Sequence, residues 1–245
     1  MRIALVSDIH GNLAALEAVA ADIRRRGVDR VANLGDNVSG PLWPQETAQY
    51  LMASGWLHLA GNHERQLLTL PPEQQGLSDH YARTQLNQAE LGWLAALPAV
   101  LHLDNDVLLC HGTPHSDHTY LLETICNGST VLASAHAIKQ RLQGSRAAVI
   151  ACGHTHIARN IHLEGMLLVN PGSVGLPAYA DDCPPHTVET GSPDARYAII
   201  EYRNGRWQAS HYRIAYPHQQ AADLAQQRQR LDWAAALRHG RITQA

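Results

Sequence analysis

Phenylalanine is absent from all 245 residues, no two cysteines are spaced C-x-x-C, and neither sign of charge dominates, with 19 Lys and Arg against 22 Asp and Glu. Each absence excludes something. A net charge of −3 gives no global positive field for a nucleic-acid backbone or an anionic membrane surface, so any anionic ligand needs a local site. The apolar runs are short, far below the roughly 18 residues that cross a bilayer. The opening run from Met1 to Val6 meets Asp8 and His10 too soon for a signal peptide. The cysteines, at 110, 126, 152 and 183, belong to a chain long enough to build a core without cross-links. They are expected to be reduced, which points to the cytoplasm. With 45% hydrophobic and 17% charged residues, the composition is neither disordered nor fibrous.

What the sequence does have is 16 histidines and a strand-helix rhythm. Ile3-Ala4-Leu5-Val6, closed by Ser7-Asp8, has the pattern of a strand buried on both faces. From Asn12 as N-cap, Leu13, Leu16, Val19, Ala20 and Ile23 keep helical spacing up to Arg24-Arg25-Arg26 and Gly27. A second strand at Val31 to Leu34 leads to a helix through Tyr50, Leu51 and Met52, and Trp56 to Ala60 predicts a third strand. Residues 71–98 form a polar, mostly helical insertion, either a lid or packing, with His80, Tyr81, Arg83 and Trp93. A hairpin is predicted around Asp104-Asn105-Asp106, a helix over 120–142 and a buried strand over 147–152. Another hairpin turns at Glu164-Gly165, a loose loop covers 181–193, and a last hairpin turns at Asn204-Gly205 before a helical tail.

The polar residues that carry chemistry sit just past the ends of these strands: Asp8 and His10, Gly35-Asp36, Gly61-Asn62-His63-Glu64, His111, and Gly153-His154-Thr155-His156. Open α/β sheets place their sites at the carboxyl ends of strands, so five such ends converging put imidazoles, carboxylates and an amide in one crevice. Taken singly, each is better read as a turn or a satisfied histidine; together they suit two divalent metals sharing one ligand. On an extended segment, alternation puts Asp8 and His10 on one side, and likewise His154 and His156, so each pair presents two donors to one centre. Asp36 is the natural bridge, because a carboxylate has two oxygens. Mixed N and O donors suit Mn, Fe, Zn, Co or Ni rather than Ca. Two cations, two carboxylates and a hydroxide leave a charge of about +1, which favours an anionic substrate.

In this order, Asp8-Ile9-His10-Gly11-Asn12, Gly35-Asp36, Gly61-Asn62-His63-Glu64, His111, Gly153-His154-Thr155-His156 and Asn170-Pro171-Gly172-Ser173-Val174-Gly175 resemble the calcineurin-like metallophosphoesterase superfamily, in its small bacterial and archaeal phosphoesterase branch. The resemblance implies an α/β fold, a four-layer αββα sandwich, as one domain over 1–245 with the helical insertion at 71–98 and a C-terminal elaboration at 195–245. It implies that Asp8, His10 and His156 hold the first metal, Asn62, His111 and His154 the second, and Asp36 both. A water between two divalent ions, manganese first with Fe, Zn, Ni, Co or Mg as alternatives, would then attack phosphorus. His63 would protonate the leaving oxygen or hydrogen-bond the phosphoryl group, while Glu64 would either support the ligands or lie exposed.

The sequence departs from the protein Ser/Thr phosphatases and symmetrical diadenosine tetraphosphatases, whose Gly-Asp motif runs on to an arginine and whose Gly-Asn-His-Glu motif follows another. Here Asp36-Asn37-Val38-Ser39-Gly40-Pro41 and Ala60 stand instead. Without those bidentate forks, the expectation is a phosphodiesterase acting on small phosphodiesters or nucleotides. A phosphomonoesterase, a protein phosphatase or a diadenosine polyphosphate hydrolase is the alternative, and a non-catalytic scaffold of the same fold the non-enzyme one. His115, Arg65, Arg83 and Tyr81 are further candidates for touching substrate, and Asn170 and Ser173 for supporting the metal loops.

Overall fold

Side-chain alternation along the buried strands sets the layers of the computed structural model, which describes residues 1–104 and 106–242. In chain order the elements are β1 (Arg2–Val6), α1 (Leu13–Arg26), β2 (Arg30–Asn33), α2 (Pro44–Ala53), β3 (Leu57–His58) and α3 (Asn62–Thr69). A 3₁₀ turn (Pro72–Gln74) precedes α4 (Leu77–Gln85), α5 (Gln88–Ala95), β4 (Val100–Leu103), β5 (Val107–Cys110), β6 (Glu123–Cys126) and β7 (Ser129–Leu132). Then come α6 (Ala135–Leu142), β8 (Val149–Ala151), β9 (Arg159–Leu163), β10 (Met166–Asn170), β11 (Ala178–Asp182), β12 (Pro185–Glu189), β13 (Ala195–Arg203), β14 (Arg206–Ile214), α7 (His218–Gln227) and α8 (Leu231–His239).

The strands form one sheet in the order β14-β13-β1-β2-β3 and a second in the order β4-β5-β8-β10-β9. Ile3 and Leu5 of β1 face the second sheet, where they meet Val107, Leu109, Val149, Ala151, Leu167 and Val169. Ala4 and Val6, between them, face away and pack on Leu16, Val19 and Ile23 of α1 and Leu51 of α2. The second sheet does the same, with Leu108, Cys110, Ile150 and Leu168 turned outward onto Ile138 and Leu142 of α6. Helices, sheet, sheet and helix are thus the four expected layers. Among the described residues, no helix is long and apolar enough to cross a membrane.

Several elements differ from expectation. The stretch expected to be a helix over 120–142 holds the β6–β7 hairpin, and α6 begins only after Ser134, whose Oγ caps Ala137 N. Asn127 and Gly128, with φ of 50° and 73°, form a tight reversal, and β-branched Thr124, Ile125, Thr130 and Val131 suit strands on either side. The loop expected over 181–193 contains the end of β11 and all of β12, whose buried His186 and Val188 alternate with exposed Thr187 and Glu189. These two hairpins make a third sheet, β11-β12-β7-β6. The third strand shrinks to Leu57–His58, and the segment after it becomes α3, which the sequence pattern did not indicate. The helical tail is two helices. The 71–98 insertion is helical as expected, and β4 pairs with β5 in the expected hairpin, although Asn105 of its turn lies outside the described residues.

Leu5 is fully buried in the seam between the two sheets. Leu5→Ala is expected to lower the unfolding free energy by about 3 kcal/mol with little change in denaturant slope, read by urea titration.

Candidate metal centre

The loops at the strand ends carry the functional side chains, and they are not extended. Asp8, His10, Asp36, His154 and His156 all have left-handed backbones, with φ of 56°, 52°, 55°, 69° and 60°. Extended-chain alternation therefore does not apply: Asp8 and His10 still reach one donor group, as expected, but through left-handed turns, whereas His154 and His156 turn into different groups. Non-glycine residues resist this conformation, so neighbours must hold it. Asp8 N donates to the Gly35 carbonyl, His10 N to that of Asp36 and Gly11 N to that of Asn37, each at 3.0 Å. His154 N donates to the Asp8 carboxylate at 3.2 Å.

Glu64 completes the clamp. It is buried, and its carboxylate accepts from Gly61 N at 2.7 Å, Asp36 N at 2.9 Å and Asn37 N at 2.8 Å, tying the start of α3 to the Asp36 turn. Of its two expected placements it takes the supporting one. Gly61 has no alternative, since a Cβ there would lie 2.3 Å from Asp36 Oδ1 and 2.9 Å from the His111 ring. Asn170 Nδ2 donates to the Gly153 carbonyl and Thr155 Oγ1, and Ser173 Oγ to the Asp8 carbonyl, so these two residues brace the loops.

Two donor groups result. Ligand atoms of Asp8, His10 and His156 lie within 4.8 Å of one another, and so do those of Asp36, His111 and His154. Asn62 Oδ1 is 3.1 Å from His111 Nε2 and joins the second group. Asp36 Oδ2 faces both, at 3.1 Å from His111 Nε2 and 3.9 Å from His10 Nε2. Every one of these residues is buried.

Backbone carbonyls fix the rings. The Nδ1–H groups of His10, His111 and His156 donate to the carbonyls of Ser39, Leu34 and Leu176 at 2.8, 2.8 and 2.7 Å. His154 is reversed, its Nε2–H donating to the His118 carbonyl at 3.1 Å, so its Nδ1 is free to ligate. The bare Nε2 atoms of His10 and His156 then face each other at 3.2 Å. Two lone pairs at that distance cannot hydrogen-bond, and a cation between them resolves the conflict. His111 Nε2 faces the oxygens of Asn62 and Asp36, both acceptors, so without a metal it carries a proton that a cation would displace. The residues fit divalent metals, with the second hydrogen bond on each imidazole that ligating histidines require.

Titration behaviour follows from burial. Burial, then His156, brings His10 down to about 4; burial and His111 bring His154 down to about 3, so both are neutral near pH 7, the form able to ligate a metal. Burial also opposes charging His111, but Asp36 and Asp8 outweigh it and hold the ring up to about 9. Burial alone would raise Asp36, yet His111 and His63 keep it well below the usual carboxylate range.

His63 sits at the start of α3, partly exposed in the same cleft. Its Nδ1 lies 2.8 Å from Asp79 Oδ1, and Ser39 Oγ donates to that same oxygen at 2.6 Å. Asp79 comes from α4 of the insertion, where an isolated acidic residue on a helix gives no sequence signal. The third sheet and the loop that leads into it supply other unanticipated residues. Tyr179 packs on the His156 ring and Tyr120 on the His154 ring, at 4.7 and 4.9 Å between centroids, and the two hydroxyls meet at 2.7 Å.

The remaining candidates lie elsewhere. His115 Nε2 bonds to the Leu142 carbonyl and Ser145 Oγ, Arg65 is forked on Asp117, Tyr81 packs under the Arg228 guanidinium, and Arg83 is exposed. Cys110 and Cys152 pack in the core beneath α6, and burial pushes the Cys110 thiol up to about 12. The cleft above the donors has a volume of about 450 Å³. A larger groove of about 900 Å³, lined by Leu167, Tyr202 and Trp207, holds no such donor group among the described residues.

Comparison with known proteins agrees with this architecture. A curated protein of Methanocaldococcus jannaschii, named only as uncharacterized, is 26% identical over 198 residues, which cover 78% of this chain and 75% of that one. The fold is similar to that of a metallophosphoesterase from Sphaerobacter thermophilus, with TM-score 0.76 and 24% identity over 98% of this chain and 100% of that one. It is also similar to a hypothetical protein from Pyrococcus horikoshii OT3, with TM-score 0.76 and 14% identity over 99% of each chain. The model of the calcineurin-like phosphoesterase superfamily domain matches residues 1–204, from β1 into the turn between β13 and β14. With the four layers and the donor groups at their strand ends, that match identifies the chain as a member of the calcineurin-like phosphoesterase superfamily.

Proposed function

We propose that the protein is a dinuclear metal-dependent phosphodiesterase acting on small phosphodiesters or nucleotides. Asp8, His10 and His156 hold one divalent cation in this reading, Asn62, His111 and His154 the other, and Asp36 both. The observation that carries it is the confrontation of unprotonated His10 and His156 nitrogens at 3.2 Å beside a second buried donor group. Manganese is the first choice for these mixed donors, with Fe, Zn, Ni, Co or Mg as alternatives. Bound there, two cations supply Lewis acidity, acidifying water and neutralising phosphoryl charge. We place the protein in the cytoplasm, as one catalytic unit over 1–245.

The chain's own residues orient and protonate. The carbonyls of Ser39, Leu34, Leu176 and His118 aim the four imidazoles. Asp79 takes the Nδ1–H of His63, leaving Nε2 to deliver a proton to the leaving oxygen. Burial opposes the imidazolium, but Asp36, Asp79 and Glu64 together hold it up to about 10. Cations on Asp36 would cancel that residue's share and leave Asp79 as its closest counter-charge.

The absence of arginine from Asn37 to Pro41 and at Ala60 favours a diester, whose single negative charge needs less clamping than a monoester dianion. The same missing arginines weigh against the monoesterase, protein phosphatase and dinucleoside polyphosphate alternatives, and the complete donor set weighs against a scaffold.

With manganese-loaded protein, a chromogenic phosphodiester is expected to be hydrolysed faster than its monoester analogue; the reverse order removes the diester preference and keeps the metal chemistry. Asp36→Asn is expected to lose both metal content and activity. His63→Ala is expected to keep the metals, measured by elemental analysis, and lose about 10²-fold or more in kcat. A general acid works below its pKa, so activity falls as pH rises through it. Asp79→Asn removes a charge that raises that pKa, and the alkaline limb of the kcat profile is expected to move to lower pH.

A further inference from the structure

The C-terminal helices lie beyond the matched residues 1–204, yet α8 forms one wall of the cleft. Trp233 is buried there, its ring edge-on to the His10 imidazole at 6.0 Å between centroids. It also sits so close to the Asp36 loop that a Cβ on Gly40 would lie 2.7 Å from its ring. The Arg230 guanidinium stands 5.7 Å from the Trp233 ring centre, at the helix start. Its Nη1 donates to Ser78 Oγ at 3.0 Å, and Ser78 is the neighbour of Asp79, the partner of His63. Arg230, Ser78 and His63 line the same cleft.

We propose that Arg230 is a specificity residue that binds a second anionic group, carried by the leaving group of the substrate; this rests on the phosphodiesterase reading above. His63 meets the leaving oxygen, so the leaving group occupies the side of the cleft where Asp79, Ser78 and Arg230 follow one another. Arg230 is built to stay there. Its side chain is only 17% exposed, while Asp232, which grips Nε and Nη2 at 3.0 and 2.6 Å, is 56% exposed. The carboxylate thus holds one edge of the guanidinium from the solvent side, and the protons of Nη1 and Nη2 not spent on Ser78 and Asp232 remain for an anion. Asp181 and Asp182 also line the cleft and disfavour a second negative charge beside them. The two guanidiniums missing beside the donor groups are not replaced in kind: this one recognises the group that leaves. The substrate class is a phosphodiester whose leaving alcohol carries a phosphate, as in a 5′-phosphorylated dinucleotide.

The test compares the manganese-loaded protein on the dinucleotide pApA and on ApA, which differ only in the 5′-phosphate of the leaving nucleoside. Hydrolysis takes one water, breaks the P–O3′ bond and gives two AMP from pApA, or adenosine and AMP from ApA. The wild type is expected to favour pApA in kcat/KM by about tenfold or more, mostly through KM. Arg230→Gln is expected to bring that ratio close to one, and Arg230→Lys, which keeps the charge without the fork, to give an intermediate ratio and to control for folding. A ratio near one in the wild type, or one unaltered by Arg230→Gln, overturns the proposal. Calorimetric titration with AMP separates the two levels, because it needs no turnover. Wild-type protein inactive on both dinucleotides and on a chromogenic diester overturns the phosphodiesterase reading, whereas AMP affinity that Arg230→Gln leaves unchanged overturns the Arg230 assignment.

Discussion

Two buried carboxylates and four buried imidazoles share one crevice, and the bare ring nitrogens of His10 and His156 point at one another. Removing a charge from water costs several kcal/mol even after relaxation, and opposed lone pairs add to it. Five of these residues also hold left-handed backbones, each at a cost on the order of 1–3 kcal/mol. The His111–Asp36 pair offsets only part of these costs, so the sheets and the loop hydrogen bonds must impose the arrangement. The alternation of Ile3 and Leu5 against Ala4 and Val6 locks β1 in register between two layers, and the Glu64 carboxylate ties the Asp36 turn to α3. A divalent cation in each donor group would turn the mutual repulsion of the donors into coordination.

The outline of this arrangement was legible in the sequence because buried strands are continuous apolar runs and the donors follow them directly. Asp8, His10, Asp36, Asn62, His63, His111, His154 and His156 all arrive in one crevice. The turn chemistry was less legible. Alternation assumes an extended chain, and the left-handed turns at His154 and His156 send neighbouring imidazoles to different groups. The hairpin at Asn127-Gly128 was hidden by a stretch that could carry helical spacing, although the Asn-Gly pair and its β-branched flanks marked it. Asp79, Tyr120, Tyr179 and Arg230 could not be assigned from sequence, because each reaches the crevice through tertiary packing of an element whose own pattern is ordinary.

These late arrivals divide the labour of the cleft. The ends of the strands of the two main sheets and the start of α3 deliver the donors, α4 delivers Asp79 to His63, the third sheet and the loop before it cover the His156 and His154 rings with tyrosines, and α8 with its N-cap delivers Trp233 and Arg230. Chemistry and recognition are therefore built on separate parts of the chain, the first within the matched residues 1–204 and the second partly beyond them. Such a division lets the walls of a site change while the donor groups stay fixed.

Diffraction from crystals grown with manganese, recorded at the manganese absorption edge, tests the central claim most directly. Two anomalous peaks per chain are expected, one between His10 and His156 and one against His111 and His154, with Asp36 touching both. A single peak, or none among these residues, would contradict it.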